Sequence, residues 1–167
     1  AATTLDGQGS GTVTVSLLPG RQLVLEDAVG YLRSKGLAIP EGNQGGSLRV
    51  SFDNLSSADA AYAGVRITAP AGNGRAGVAY VAPKLEELPT TATAWLHGLR
   101  SSSADRTNVA LANASTSASV TLRLTLFNGD GSAQKHTFDD VTLGPGQWNQ
   151  VDDVFVGTGF RQGYASV

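Results

Sequence analysis

The histidines His97 and His136 are the first candidates for catalytic chemistry, because a neutral imidazole is the usual base in hydrolases. Such a base needs an activated nucleophile, but the sequence has no G-x-S-x-G motif and no cysteine. The two histidines are also far apart in sequence, and no acidic cluster at metal-ligand spacing accompanies them. We interpret both as surface or packing residues and predict that the protein is not an enzyme.

Oxygen-bearing side chains in two turn regions are candidate calcium ligands, since calcium prefers carboxylate and amide oxygens. These candidate metal ligands are Asn128, Asp130, Asp152 and Asp153, with Asp139 and Asp140 nearby in sequence. The alternative is that Asn128 and Asp130 build a turn, while the acidic pairs cap helices or keep the surface soluble. We favour that alternative, expect no cofactor, and retain calcium as the second hypothesis.

Exposed aromatic residues are the third kind of candidate, because they stack on the faces of sugar rings. Trp148, Trp95 and Tyr164 are the predicted ligand-binding residues. Packing in a core or an interface is the alternative explanation for all three.

An internal repeat organises the elements that carry these residues. The segment 143–155 matches the segment 17–29 without a gap, and each copy contains a Pro-Gly pair followed by an acidic pair. Each reads as a strand, a turn, a second strand and a capped helical turn. Trp148 occupies the position of Gln22 in the first copy, so the repeated fold does not require tryptophan there.

Alternation of apolar and polar residues predicts strands along much of the chain. The clearest alternation covers 120–127, and further strands are predicted at 12–17, 23–25, 48–52, 62–69, 77–82, 106–113, 137–143, 147–151 and 163–167. Asn73-Gly74 and Asn128-Gly129-Asp130-Gly131 predict hairpin turns. Asp27 and Gly36 predict the two ends of a helix over 28–35, and a shorter helical turn is expected at 153–157.

These elements predict an all-β protein made of immunoglobulin-like β-sandwich modules with one short helix each. We divide the chain into a flexible arm (1–11), a first partial module (12–84), a linker (85–93) and a second partial module (94–167). Neither module has room for every strand of the repeat, which suggests a portion of a longer tandem array. Strand addition between copies is therefore expected at the open sheet edges.

Composition argues against several functional classes. The formal net charge is −2 and lysine and arginine are not clustered, which disfavours nucleic-acid binding. No stretch approaches the roughly 18 apolar residues of a membrane helix. Low charge and abundant small polar residues favour an exported protein.

The second module resembles a repeat found in secreted bacterial proteins. The matching motifs, in order, are Arg106-Thr107-Asn108 with Asn113, Asp130-Gly131, Pro145-Gly146, Asp152-Asp153-Val154-Phe155 and Gly163-Tyr164-Ala165. This resemblance implies an immunoglobulin-like sandwich, export, and tandem copies on surface proteins or hydrolases, and it transfers no catalytic residue. The sequence thus predicts an extracellular structural or adhesive module, forming a filament or homo-oligomer. The alternative is a carbohydrate-binding module appended to a secreted enzyme.

Overall fold

A computed structural model describes residues 2–4, 11–42, 46–57, 60–84, 87–88 and 92–167. Strands make up 32% of the chain, and one short helix accompanies them. Every strand pair is antiparallel. The prediction of an all-β protein is confirmed at this level.

The described residues form twelve strands and one helix. The strands are β1 (Ala2–Thr4), β2 (Gly46–Leu48), β3 (Gly64–Ala71), β4 (Gly74–Val81), β5 (Trp95–Arg100), β6 (Val109–Ala112), β7 (Val120–Leu122), β8 (Thr125–Asn128), β9 (Lys135–Thr137), β10 (Val141–Leu143), β11 (Trp148–Val151) and β12 (Gln162–Ser166). The helix α1 covers Ala28–Ser34. Part of the predicted arm thus forms β1, which pairs with β2. Residue 1, residues 5–10 and most of the predicted linker lie outside the described residues.

Two compact units divide the chain: residues 1–48 together with 91–167, and residues 49–90. These bounds differ from those of the predicted modules 12–84 and 94–167. The modules were defined by the sequence repeat, and their division stays a prediction.

The smaller unit contains the hairpin β3–β4, as the alternation predicted. Its turn residues are Gly72 and Asn73, with a φ of 54° at Gly72, so the register lies one residue earlier than Asn73-Gly74 indicated. Glycine at the first central position is typical of a type II′ turn. Val65 and Ile67, two apolar residues that alternate in β3, are 52% and 65% exposed.

The larger unit is organised by a four-stranded sheet in the order β5-β12-β8-β9. Alternate residues of its central strands enter the core: Leu126 and Ala165 are opposite each other and almost fully buried. Val109 of β6 and Leu143 of β10 join the same apolar cluster. The sheet therefore has one face on the core and one face open to water.

A long bent hairpin links this sheet to a second strand pair. β8 pairs with β9, and beyond the bend β7 pairs with β10. At the bend, the Arg123 Nε and Nη2 groups donate to the two Asp140 carboxylate oxygens at 2.6 and 2.7 Å. This bidentate contact lowers the pKa of Asp140 and raises the pKa of Arg123.

The two Pro-Gly pairs of the repeat form the same turn. Gly20 and Gly146 have φ values of 70° and 68°, and in each turn the N–H after the glycine donates at 3.1 Å to the carbonyl before the proline. Proline followed by a left-handed glycine is typical of a type II β-turn. The predicted local equivalence of these corners is thus confirmed.

The strands around the first corner are not formed, which corrects the prediction for 12–17 and 23–25. Leu17 is 51% exposed, whereas the aligned Leu143 is 4% exposed and lies in β10. Likewise, β2 ends at Leu48, so most of the predicted strand 48–52 is irregular. Alternation alone does not stabilise a strand without a neighbour for its backbone groups.

The helix α1 follows its predicted limits closely. Asp27 is the N-cap, and its Oδ1 accepts a hydrogen bond from the Gly30 N–H at 2.9 Å. Gly36, with a φ of 89°, ends the helical turn. In the second copy, residues 154–158 form turns instead of a helix, so Asp153 caps no helix.

Candidate binding face

The solvent-facing side of the four-stranded sheet carries an aromatic cluster, here called the aromatic face and defined by Trp95, His97, Phe127 and Tyr164. The register explains its assembly, because Tyr164 pairs with Phe127 across β12 and β8. Their sequence neighbours Ala165 and Leu126 point into the core, and the period of two sends the rings to the opposite side. A bulge in β5 places His97 and Gly98 opposite Tyr164.

Ring contacts connect all four members of the aromatic face. Phe127 and Tyr164 have centroids 5.0 Å apart with planes at 7°, and His97 and Tyr164 have centroids 6.0 Å apart with planes at 24°. Trp95 lies 5.8 Å from Phe127 and 6.0 Å from Tyr164, tilted to both. The predicted ligand-binding residues Trp95 and Tyr164 are therefore brought together.

The orientations of these rings give them different roles. Parallel rings at 5.0 Å form an offset stack, so Phe127 and Tyr164 cover part of each other's π faces. Trp95 is 52% exposed and Tyr164 is 36% exposed. Because Trp95 is tilted to both rings and is the more exposed of these two residues, its indole is accessible for contact.

Polar side chains surround the aromatic face in two rows. On one side, Ser166, Thr125 and Thr137 follow Trp95 across the strands, and the two threonine hydroxyls lie 3.3 Å apart. On the other side, Arg100 and Gln162 are register partners and both are exposed. Hydroxyl, amide and cationic groups thus flank the rings.

Trp148, the third predicted ligand residue, lies elsewhere. It begins β11, pairs with Ala112 of β6, and is half-buried. The structure does not place it in the aromatic face. Its position beside the second Pro-Gly turn indicates packing at that corner.

Asn128 and Asp130, two of the calcium candidates, stabilise the hairpin turn instead. The Asn128 Nδ2 group donates to Asp130 Oδ2 at 2.9 Å, and the Ser132 N–H donates to Asp130 Oδ1 at 2.8 Å. The hydrogen bonds from Ser132, ahead of that from Asn128, lower the pKa of Asp130. Its carboxylate is therefore engaged within the turn.

Asp152 and Asp153, the other pair of candidates, lie after β11. Asp152 Oδ1 accepts a hydrogen bond from Gln150 Nε2 at 2.5 Å, and the Asp153 N–H donates to Asn108 Oδ1 at 3.0 Å. Asp153 Oδ1 is buried without a hydrogen-bond partner among the described residues. Within the described ranges, no three His, Asp or Glu side chains are grouped to hold a metal ion.

The two histidines considered for catalysis, and Ser102 in a surface loop, have structural contacts. His97 stacks on Tyr164, and His136 meets Phe138 edge to face at 4.7 Å. A depression of about 580 Å³ lies where β5 ends and β12 begins, between Arg100, Arg161 and the serine-rich loop 101–103. Ser102 Oγ in that loop donates to Asp105 and accepts N–H groups from residues 104 and 105.

The motif residues of the resemblance connect the strands of this unit. Thr107 Oγ1 accepts from the Arg100 N–H at 3.1 Å and donates to the Arg100 carbonyl at 2.7 Å. Asn113 is 7% exposed; its Nδ2 donates to the carbonyls of Ala118, Leu143 and Gly144, while its Oδ1 accepts from the Ser115 N–H. These residues therefore stabilise the fold and do not form a ligand site.

Sequence reasoning missed Phe127 and the importance of His97 in the aromatic face. The signal for Phe127 was present, since Phe127 alternates with the core residues Leu124 and Leu126. The pairing of β12 with β8, which brings Phe127 beside Tyr164, cannot be read from either strand alone.

No family model, curated protein or solved structure matches this chain. Among the described residues, α1 is the longest run of helix, and none is long and apolar enough to cross a membrane.

Proposed function

We propose that this chain is a non-enzymatic extracellular adhesive module, built on an immunoglobulin-like β-sandwich, that binds through the aromatic face. The secreted repeat that the second module resembles supports this assignment. One apolar cluster joining residues of β6, β8, β10 and β12 supports a layered β architecture.

The single observation that carries the proposal is the exposure of a connected aromatic cluster on an ordered sheet. Leu126 and Ala165, on the opposite face of the same strands, are buried in the core. The rings on the outer face are therefore not part of the core packing. Contiguous exposed apolar groups with a polar border are typical of interaction surfaces. Tryptophan and tyrosine give such surfaces large contact area at low entropic cost.

Retention of the full chain on immobilised polymers tests this role. Beads carry dextran, polygalacturonate or gelatin, and the variants are Trp95→Ala and Trp148→Ala. We expect retention on at least one polymer, reduced at least tenfold by Trp95→Ala and less than twofold by Trp148→Ala. Equal retention of wild type and Trp95→Ala, or none on any polymer, would contradict adhesion by this face.

Carbohydrate binding, as a module appended to a secreted enzyme, is the second candidate function. The observation that favours it is the 6.0 Å approach of Trp95 to Tyr164, beside the hydroxyls of Ser166 and Thr125. Ring faces and hydroxyl groups together suit the apolar and polar sides of a sugar.

Self-assembly by strand addition was predicted from the open ends of the module. The sheet order places β12 between β5 and β8, so an added strand would pair with β5 or β9. Thr107 already occupies the outward N–H and carbonyl of Arg100, and β9 is only three residues long. Strand addition to this sheet would therefore need the remaining edge of β5. Light scattering of the full chain tests it, with a concentration-dependent mass expected for a filament and a constant monomer mass contradicting it.

A further inference from the structure

We infer that the ligand of the aromatic face is an acidic polysaccharide, a chain of sugar rings bearing carboxylates; this inference rests on the proposed adhesive function. It is carried by the composition of the four strands that form the face and by the arrangement of their outward side chains.

Charge on these strands is of one sign. The strands β5, β12, β8 and β9 contain Arg100 and Lys135 but no Asp or Glu, although the whole chain has 14 acidic residues and a net charge of −2. Arg100 and Lys135 are exposed, and each lies on a strand at one edge of the sheet. A locally cationic face on an acidic protein favours an anionic ligand.

The outward side chains form rows that cross the strands. His97, Tyr164, Phe127 and Lys135 occupy successive strands through their register pairs, so the row extends about 14 Å at a strand spacing of about 4.8 Å. Ser166, Thr125 and Thr137 form the adjacent hydroxyl row. An extended ligand lying across the strands meets ring faces, hydroxyls and a cation together.

A polysaccharide suits this arrangement better than other polymers. Peptides are usually recognised by strand addition at an edge or by a groove, and the rows lie on an open sheet face. Single-stranded nucleic acid needs a cationic groove that follows its phosphates, whereas the four strands of the sheet carry two permanent cations, one on each edge strand. A second copy stacked face to face would bring like charges together.

The same three side-chain types explain why a neutral sugar chain is a poorer ligand. The indole of Trp95 and the hydroxyl row contact any sugar, so they give basal affinity. Arg100 and Lys135 form ion pairs only where the sugar carries a carboxylate. Binding should therefore weaken with added salt for the acidic chain and not for a neutral one.

Affinity measurements on the full chain test this inference with defined probes. These are oligogalacturonate, the matched neutral oligogalactan, poly-glutamate and oligo-thymidylate, measured by calorimetry at 50 and 500 mM salt. We expect oligogalacturonate to bind at least threefold more tightly than each of the other three at 50 mM salt. Equal or tighter binding of any of the other probes would overturn the inference.

Variants separate charge recognition from adhesion itself. Arg100→Gln combined with Lys135→Gln should weaken oligogalacturonate binding by about three- to tenfold, the range expected for two exposed ion pairs. Arg21→Gln, which removes an exposed cation outside the sheet, is the matched control and should change affinity less than twofold. Trp95→Phe should retain most binding, because an aromatic ring remains.

The outcomes distinguish the two levels of the proposal. If Trp95→Ala abolishes binding while the double charge variant has no effect, the adhesive face stands and the acidic ligand is wrong. If Trp95→Ala has no effect on any probe, the adhesive face itself is wrong. Native circular dichroism of each variant identifies a change caused by unfolding.

Discussion

The two copies of the internal repeat differ in structure despite their similar sequences. Around Pro145-Gly146, β10 pairs with β7 and β11 pairs with β6. Around Pro19-Gly20 the same type II turn forms, yet residues 11–25 contain no strand. The turn is therefore a local property of the Pro-Gly pair, whereas the strands depend on partners from elsewhere in the chain.

The acidic pairs that follow the turns also differ in conformation between the two copies. Asp27 lies in the extended region with a φ of −125° and caps α1, whereas Asp153 has a φ of 38°. Asn108 accepts the Asp153 N–H, and the Thr107 carbonyl accepts the Val154 N–H. Hydrogen bonds from a neighbouring segment thus replace the helical start that the local sequence favours.

Truncation of the aligned leucines should give the largest difference between the copies. Leu143→Ala should cost about 2–5 kcal/mol, because it opens a cavity in the core. Leu17→Ala should cost less than about 1 kcal/mol, because that side chain is already half exposed. Urea denaturation, followed by the fluorescence of Trp95 and Trp148, measures the free energy of unfolding of both variants, with Leu17→Ala as the control. Comparable losses would show that the first copy is packed as tightly as the second.

Removal of the Asn113 amide should cause the next largest loss in the free energy of unfolding. Asn113→Ala leaves the carbonyls of Leu143 and Gly144 without this donor in a buried position, at a cost of about 2–3 kcal/mol. Asn149→Ala is the control, since its Oδ1 accepts only from the adjacent Gln150 N–H. If the control is equally destabilising in urea, Asn113 is not the connection that distinguishes the second copy.

Local features of the fold could be predicted from sequence, and non-local ones could not. The α1 cap at Asp27, the β3–β4 hairpin and both Pro-Gly turns depend on residues within a few positions of each other. The strands predicted at 12–17 have the right alternation and no described partner, because pairing depends on distant residues.

Glycine substitutions at the aligned aspartates should have opposite signs. Asp153→Gly should stabilise by about 1 kcal/mol, because glycine accepts a positive φ and the unpartnered buried oxygen is lost. Asp27→Gly should destabilise α1 by roughly 0.3 kcal/mol, because the cap is lost. Thermal unfolding measures the first change, and amide exchange of Tyr31 measures the second. A loss of stability in Asp153→Gly would mean that its carboxylate has a stabilising partner.

Breaking the Arg123–Asp140 pair should have the smallest effect on stability, and it should be visible in the titration of Asp140. The pKa of Asp140 lies below its ordinary value of 3.8, so the pair stabilises the fold above that pH and ceases to do so as pH falls through the lowered pKa. Arg123→Gln should raise the pKa of Asp140 toward 3.8, as measured by carboxyl NMR. Asp130, whose pKa is lowered by Ser132, is the internal control and should not change. An unchanged Asp140 pKa would exclude the bidentate pair in solution.

The candidate site was predictable only in part, because residue types can be read from the sequence and the pairing of distant strands cannot. Trp95 and Tyr164 were identified as exposed aromatics, and the structure brings them together. Trp148 was selected because its aligned residue is Gln22, and the structure places it in β11, outside the aromatic face. Phe127 joins the aromatic face only through the β12–β8 register.

The indole N–H resonances of Trp95 and Trp148 provide the most direct test of binding by the aromatic face. The chain has only these two tryptophans, so each gives one resolved signal in a nitrogen-correlated NMR spectrum. On titration with oligogalacturonate we predict a saturable shift of the Trp95 signal with the Trp148 signal unchanged. A shift confined to Trp148, or no shift of either signal at saturating oligogalacturonate, would contradict the account.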